Sequence, residues 1–457
     1  MKKVVLTKKG EVSSEFKVIR PSGALKGDVS VPGDKSISHR AAILASVASG
    51  PSEFSNFSPS LDCLSTLTCL EALGVEIQKD GNRVSISGKG FGSFRAPTEP
   101  LFCGNSGTTM RLLSGLLAGS NFEVTFDGDA SLRSRPMDRV LVPLSQMGLK
   151  IVKDGPPPFT IRGGGLSGIE YFLPVASAQV KSAILLAGLQ AEGKTIVIEK
   201  NPTRDHTERM LSAMKAPIEV ALPIYDRSTL EGRLAKEQGA DKRISVTKAG
   251  SLSPFNFEIG GDLSSGAFLI AAAVLVPKSK ITVRQVGLNP TRTAFLNILK
   301  RMGGEVSWKI EGERCGEPVG SVTARSSKLK GVKIAGGVIP NLIDELPLLA
   351  CLAACAEGTT VIRDANELRR KESDRISAVS ANLRKMGVKV GELEDGWAIE
   401  GPAELAGAEI ETFGDHRIAM AFSVLGLVAE GETLIRQPDC VEVSFPGFYE
   451  TLERLGQ

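Results

Sequence analysis

A polar helix start followed by an Ala/Leu-rich run recurs six times along this chain, and that repetition limits its fold to stacked copies of one small unit. The copies are VPGDKSISHRAAILASVASG (31–50), CGNSGTTMRLLSGLLAGS (103–120), PVASAQVKSAILLAGLQAEG (174–193), IGGDLSSGAFLIAAAVLVPK (259–278), PNLIDELPLLACLAACAEG (340–358) and FGDHRIAMAFSVLGLVAEG (413–431). Aligning Asp34, Asn105, Ser177, Asp262, Asp344 and Asp415 gives intervals of 71, 72, 85, 82 and 71 residues. A second signature, L-x-x-[LM]-G before a strand-like run, appears at LEALGVEI (70–77), LSQMGLKI (144–151), LKRMGGEV (299–306), LRKMGVKV (383–390) and, without the strand, LERLG (452–456). A degenerate copy, LSAMKAPIEV (211–220), puts Lys215 where the others have Gly. Gly at that place reads as the left-handed residue that closes a helix.

Each unit then runs strand, helix, strand, helix and further strands, an α/β repeat too small to be comfortable alone. The Ala-rich helices are apolar nearly all round, as buried helices are, so helices are expected inside and sheets outside. The interval widens between the third and fourth copies, around residues 221–257. The charged stretch EGRLAKEQGADKR (231–243) there reads as loop and hairpin near a domain junction, giving three repeats per domain. The length of 457 residues also suits two or three domains rather than one core.

A net charge of +3 is small for this length and excludes the global field that recruits nucleic acid or an anionic membrane. The seven cysteines, at 63, 69, 103, 315, 351, 355 and 440, include no C-x-x-C pair. Cys351 and Cys355 fall at i, i+4 in an apolar helical run and read as core rather than as ligands or a disulfide. Three scattered histidines offer no metal-ligand spacing. The start MKKVVLTKKGE has too short an apolar run for a signal peptide, and no segment has 18 uninterrupted apolar residues. A reducing cytoplasm is the expected location.

Anion binding must therefore come from local clustering, and GDKSISHR (33–40) is the first place to look. It combines Gly33, which permits close backbone approach, with Lys35, Ser36, His39 and Arg40 at a helix start, where backbone N–H groups and the macrodipole add to the cations. The same pattern also describes an ordinary capped helix. Further cations stand in SLRSRPMDR (131–139), NPTRDHTER (201–209), NPTRT (289–293) and ELRRKESDR (367–375). Lys35, Arg40, Arg111, Arg135, Arg204, Lys371, Arg375 and Arg417 together suit a small polyanion carrying phosphate and carboxylate groups. Among them, Asp344 and Glu372 are either acid/base groups with shifted pKa or structural ion-pair partners. His416 is either a proton carrier or a helix-start histidine, and Cys103 either a nucleophile or a buried small residue.

Ten ordered motifs, GDKSISHR, GNSGTT, GDASLRSRPM, SAQVKSA, TRDHTE, NPTRT, LIDELP, RRKESDR, GDHRIAM and SFPGF, make the chain from about Val18 onward resemble the 5-enolpyruvylshikimate-3-phosphate synthases, in their second bacterial class. The resemblance implies two pseudo-symmetric α/β domains, each of three βαβαββ repeats in the inside-out arrangement of enolpyruvyl transferases. Residues 33–257 would form one domain, and 1–32 with 258–457 the other, with the active site in the cleft between them. It further implies a monomer with neither cofactor nor metal, which transfers the enolpyruvyl group of phosphoenolpyruvate to the 5-hydroxyl of shikimate 3-phosphate on the way to aromatic amino acids. By similarity, Lys35, Ser36, Arg40, Ser177, Ala178, Gln179, Arg204, Asp344 and Lys371 would hold shikimate 3-phosphate. Lys35, Gly107, Arg135, Gln179, Arg375 and Arg417 would meet phosphoenolpyruvate. Asp344 would be the base, Glu372 the acid, and Lys35 a third catalytic group touching both substrates.

The sequence departs from first-class members at Val443, which precedes SFP where many of them carry Lys. Gly107 stands where some herbicide-tolerant members have Ala. Two other readings remain open: an enolpyruvyl transferase acting on UDP-N-acetylglucosamine, whose loop motif residues 103–140 do not match, and an anion-binding repeat protein without turnover.

Overall fold

A computed structural model describes residues 4–6, 12–221 and 241–457 of the chain. Residues 231–240 of the charged stretch read above as loop and hairpin lie outside the described residues. Two compact units emerge, one of Gly33–Ile259 with Arg314–Glu317, the other of Met1–Pro32, Gly260–Glu313 and Pro318–Gln457. Each has its own hydrophobic core.

In the unit beginning at Gly33, the helices Lys35–Ser46, Gly107–Leu117 and Ala178–Gly188 supply the core. Their small residues let them pack closely: a Cβ on Gly115 would lie 2.3 Å from the carbonyl oxygen of Ala183, a distance that only glycine tolerates. Three four-stranded sheets face outward. Arg83–Lys89 shows why, since Val84 and Ile86 are buried while the alternate residues are not, the period-2 pattern of a half-covered strand. The second helix of each repeat, Leu61–Ala72, Asp138–Gln146 or His206–Ala213, leads into the following strand.

The other unit repeats this plan. Leu263–Leu275, Leu346–Ala354 and His416–Gly426 are its inner helices, the first buried from Leu263 through Val274. Besides the two-stranded pair of Val4–Leu6 with Val12–Ser14, its repeats carry sheets of four, four and three strands. Two of them take strands from the start of the chain: Lys26–Ser30 runs parallel to Lys280–Gly287, and Phe16–Ile19 antiparallel to Thr433–Arg436. Three repeats per unit, with inner helices and outer sheets, form the pseudo-symmetric α/β architecture expected from the sequence.

The helix-closing signature has the geometry it needs. Gly74, Gly148, Gly303 and Gly387 have φ of 88°, 115°, 91° and 86°, and the substitute Lys215 adopts φ 58°. The terminal copy differs, Gly456 having φ −90°. Of the six aligned helix starts, Asp34, Ser177, Asp262 and Asp415 cap their helices through their side chains. In the second repeat the cap is Ser106, one residue past the aligned Asn105, whose amide oxygen accepts a hydrogen bond from Arg135. In the fifth, Asp344 lies before the helix, and Glu345 at the cap makes no capping bond. Pro347, in the first turn there, has no N–H to satisfy.

Candidate active site

The anion loop begins where two backbone segments nearly touch: a Cβ on Gly33 would sit 1.8 Å from the Asn56 carbonyl oxygen. That approach fixes the start of Lys35–Ser46, which Asp34 caps by accepting from the Ile37 N–H. Lys35 bonds to Asp62 at 2.9 Å. Arg40, one turn on, donates to the Ser36 carbonyl at 2.9 Å, to Thr207 at 2.8 Å and to Ser182 at 3.0 Å. Burial lowers the Arg40 pKa to about 10, Glu208 opposing and Arg204 adding to the fall. It remains charged at neutral pH.

Gly107, the first helical residue after Ser106, lies against two arginines: a Cβ there would meet Arg111 Nη1 at 2.7 Å and Arg135 Nη1 at 3.5 Å. Arg135 is 6% exposed and is held by Asn105 Oδ1 at 2.7 Å and Ser131 Oγ at 3.1 Å. Gln179 accepts from Arg111 at 2.6 Å and donates to Thr108 at 2.9 Å, tying the start of Ala178–Gly188 to the Gly107 helix. Ser177 caps the former helix and Ala178 opens it. Arg204 is half-buried in the loop before His206–Ala213. Lys35, Gly107, Arg135, Gln179 and Arg204 thus stand at or just before helix starts of one unit, with Arg40 in the second turn of the Lys35–Ser46 helix.

His39 lies beneath this surface. Burial first, then Lys35 and Arg40, hold its pKa well below the ordinary 6.5, against the pull of Asp34. Its Nδ1 meets Thr66 Oγ1 at 2.6 Å, which meets Thr109 Oγ1 at 2.6 Å, and Thr109 bonds to the cap Ser106 at 2.7 Å. A histidine kept neutral in the folded state, but able to take a proton once unfolded, subtracts stability as pH falls below 6.5. His39→Asn, which keeps a hydrogen-bonding side chain but does not titrate, is expected to lose less urea resistance than the parent between pH 7.5 and about pH 5.5. Parallel pH dependences would show that His39 takes up no proton on unfolding.

In the other unit a buried guanidinium gathers carboxylates. Arg375, 1% exposed, lies 2.8 Å from Asp415, 2.6 Å from Glu372 and 3.8 Å from Asp344. Burial alone would lower its pKa, but Asp415, Glu372 and Asp344 outweigh it and the pKa rises. Half-buried Lys371 responds to the same groups: burial lowers its pKa, Asp344 and Glu372 opposing and Arg375 assisting. Arg417, 3% exposed, reaches the Ser264 carbonyl only at 3.5 Å and stands 5.8 Å from the Phe268 ring. Its Nε has no hydrogen-bond partner among the described residues. Asp344, Lys371, Glu372 and Arg375 are therefore brought together, with Arg417 on the helix that Asp415 caps.

The two open readings of His416 and Cys103 narrow. His416 is a buried first residue of its helix. Cys103 is 0% exposed, and a side-chain hydrogen bond with the free thiol of Cys69 together with burial pushes its thiol well above the ordinary value, away from a nucleophilic thiolate. Among the described residues one group, Asp205, His206 and Glu317, places three possible metal ligands within 4.8 Å of one another. Asp205 pairs with Arg209 at 2.9 Å, and His206 Nδ1 and Glu317 share a hydrogen bond at 2.8 Å, so these groups already have partners within the protein.

A family model described as EPSP synthase (3-phosphoshikimate 1-carboxyvinyltransferase) matches residues 19–452. The chain belongs to the EPSP synthase family. It is 48% identical to the 3-phosphoshikimate 1-carboxyvinyltransferase of Thermodesulfovibrio yellowstonii over 444 residues, covering 96% of this chain and 99% of the relative. With that of Salinibacter ruber it shares 47% over 443 residues, 96% and 98% of the two chains. The solved EPSP synthase from Acinetobacter baumannii is 42% identical and superposes with a TM-score of 0.82 over 96% of this chain and 98% of that one. The enolpyruvyl transferase NikO from Streptomyces tendae, 18% identical with a TM-score of 0.73 over 96% and 97% of the chains, shares the fold.

Within this EPSP synthase family fold, further groups support the named cations: Asp62 from outside the motifs, and Ser182, Thr207 and Asp415 from inside SAQVKSA, TRDHTE and GDHRIAM. Asp62 holds Lys35, Ser182 and Thr207 hold Arg40, and Asp415 holds Arg375. Behind Arg204, fully buried Lys181 bridges Glu199 at 3.0 Å and Glu208 at 2.9 Å, with Lys242 3.1 Å from Glu208. The one signal in the sequence is a lysine at an inward position of the otherwise apolar SAQVKSAILLAG helix. No helix among the described residues is long and apolar enough to cross a membrane.

Proposed function

We propose that this protein transfers the enolpyruvyl group of phosphoenolpyruvate to the 5-hydroxyl of shikimate 3-phosphate, with release of inorganic phosphate. The observation that carries this reading is the end-to-end relationship to 3-phosphoshikimate 1-carboxyvinyltransferases at up to 48% identity. The chemistry of the residues supports it.

Shikimate 3-phosphate is assigned to Lys35, Ser36, Arg40, Ser177, Ala178, Gln179, Arg204, Asp344 and Lys371. Phosphoenolpyruvate is assigned to Lys35, Gly107, Arg135, Gln179, Arg375 and Arg417. The buried Arg417, whose Nε has no hydrogen-bond partner among the described residues, has a donor to offer a carboxylate or phosphate. The reaction begins as Asp344 draws the proton from the 5-hydroxyl, whose oxygen attacks C2 of phosphoenolpyruvate while Glu372 protonates C3. This gives a tetrahedral intermediate in which C2 carries both the new ether oxygen and the phosphate oxygen. Glu372 then takes a proton back from C3, the C2–C3 double bond re-forms and the C–O bond to phosphate breaks. Protonating C3 puts positive character on C2, so the acid must stand at the methylene while cations hold the phosphate and carboxylate. Lys35, assigned to both substrates, orients one against the other. The sequence so written consumes no cofactor, and we place it in the cytoplasm in a monomeric protein.

Phosphate release from shikimate 3-phosphate plus phosphoenolpyruvate tests the proposal directly. Turnover is expected with that pair and not when UDP-N-acetylglucosamine replaces shikimate 3-phosphate. Absence of turnover with the first pair would overturn the assignment.

A further inference from the structure

Arg40 is 4% exposed, yet all three of its side-chain hydrogen bonds end on uncharged oxygens. A buried guanidinium commonly meets a carboxylate, because burying an unpaired charge is costly. Here the acids that act on it are engaged elsewhere: Glu208 faces Lys181 at 2.9 Å and Lys242 at 3.1 Å, Asp34 accepts from the Ile37 N–H, and Glu317 meets His206 Nδ1 at 2.8 Å.

The oxygens that receive Arg40 are themselves fixed. Ser182 Oγ donates to the Ala178 carbonyl at 2.6 Å, so its lone pairs face Arg40 Nη2 and the Thr207 hydroxyl. Thr207 Oγ1 accepts from Arg40 Nε at 2.8 Å, which leaves its proton for Ser182 at 2.7 Å. Each hydroxyl proton has one destination, and both oxygens present acceptors to the guanidinium. Both side chains are buried, Ser182 at 1% and Thr207 at 2% exposure, so water does not compete with them. Of the five guanidinium N–H groups, three are used by this framework and two remain for a ligand.

We propose that Ser182 and Thr207 are positioning residues, a neutral hydroxyl shelf that fixes Arg40 without neutralising it and so keeps its charge for an anionic substrate. The inference rests on the reading above that Arg40 binds shikimate 3-phosphate. A carboxylate at either position would orient the guanidinium equally well but would compete with the ligand for it.

Thr207→Val keeps the shape and removes the acceptor, and Thr207→Ser restores it. In phosphate-release kinetics, Thr207→Val is expected to raise KM for shikimate 3-phosphate about ten-fold, leaving KM for phosphoenolpyruvate and kcat within about two-fold. Thr207→Ser should return KM to within about two-fold of the parent. An unchanged KM in Thr207→Val overturns the inference. So does a uniform loss across both substrates and kcat that Thr207→Ser fails to repair, the mark of a merely structural role. If the parent protein does not turn over this substrate pair, the functional reading falls, and the shelf is then read by calorimetric titration with inorganic phosphate. Binding by the parent and by Thr207→Ser, weakened in Thr207→Val, supports the shelf; equal binding or none overturns it.

Discussion

Glu372→Gln is expected to lower kcat by about two decades or more while both substrates still bind within about three-fold of their parental affinity. Arg375 Nη2 lies 2.6 Å from Glu372 Oε2, and a glutamine oxygen can accept that bond, so the side chain keeps its place. Arg375 also keeps its pairing with Asp415 at 2.8 Å, which anchors it independently. The amide cannot give a proton to the methylene carbon or take it back, and the proposed sequence needs both events. Phosphate release gives kcat, and calorimetric titration with shikimate 3-phosphate gives the affinity. Near-normal turnover would remove Glu372 from its role. A collapse of binding would recast it as a partner of Arg375 alone.

Lys181→Met is the substitution expected to do most damage to the fold. The amine is 0% exposed and lies within 3.0 Å of both Glu199 and Glu208. Burial alone would lower its pKa, but the pull of the two carboxylates outweighs this and raises it. Removing the cation leaves buried carboxylates short of a partner, and breaking a buried pair from one side costs about 3–5 kcal/mol. The urea midpoint of Lys181→Met should fall accordingly. Adding Glu208→Gln removes one of the two stranded charges and should recover part of the loss. A single variant as stable as the parent would show that the carboxylates are satisfied without the lysine.

Much of this architecture is local and therefore legible in the sequence. Helix starts and stops depend on residues within a few positions of each other, which is why the sixfold period, the Asp34 cap and the left-handed close at Gly74 and even Lys215 can be read directly. The close approach expected at Gly33 has the Asn56 carbonyl as its cause. The bond from Arg135 to the aligned Asn105 was not legible, since it joins two segments 30 residues apart. The partners of the cations are hidden for the same reason. Asp62 finds Lys35, and Thr207 finds Arg40, only through helix packing, and nothing near either cation marks its partner. The Lys181 cluster draws on a helix, the end of a strand, a second helix and a strand beyond residue 240, so only the odd lysine in an apolar helix hints at it. Motifs report which groups face a ligand. They are silent on what holds those groups still.

The pairing of Phe16–Ile19 with Thr433–Arg436, and of Lys26–Ser30 with Lys280–Gly287, also sets an order of events during synthesis. A ribosome delivers the chain from its N-terminus, and domains generally fold as units once their residues are available. The unit of Gly33–Ile259 draws all but four of its residues, Arg314–Glu317, from one unbroken stretch. The other unit receives its first strands before that stretch and its last after it. Phe16–Ile19 and Lys26–Ser30 must wait for their partners while the whole Gly33–Ile259 stretch is made, and the sheet holding Phe16–Ile19 cannot close until nearly the whole chain has emerged.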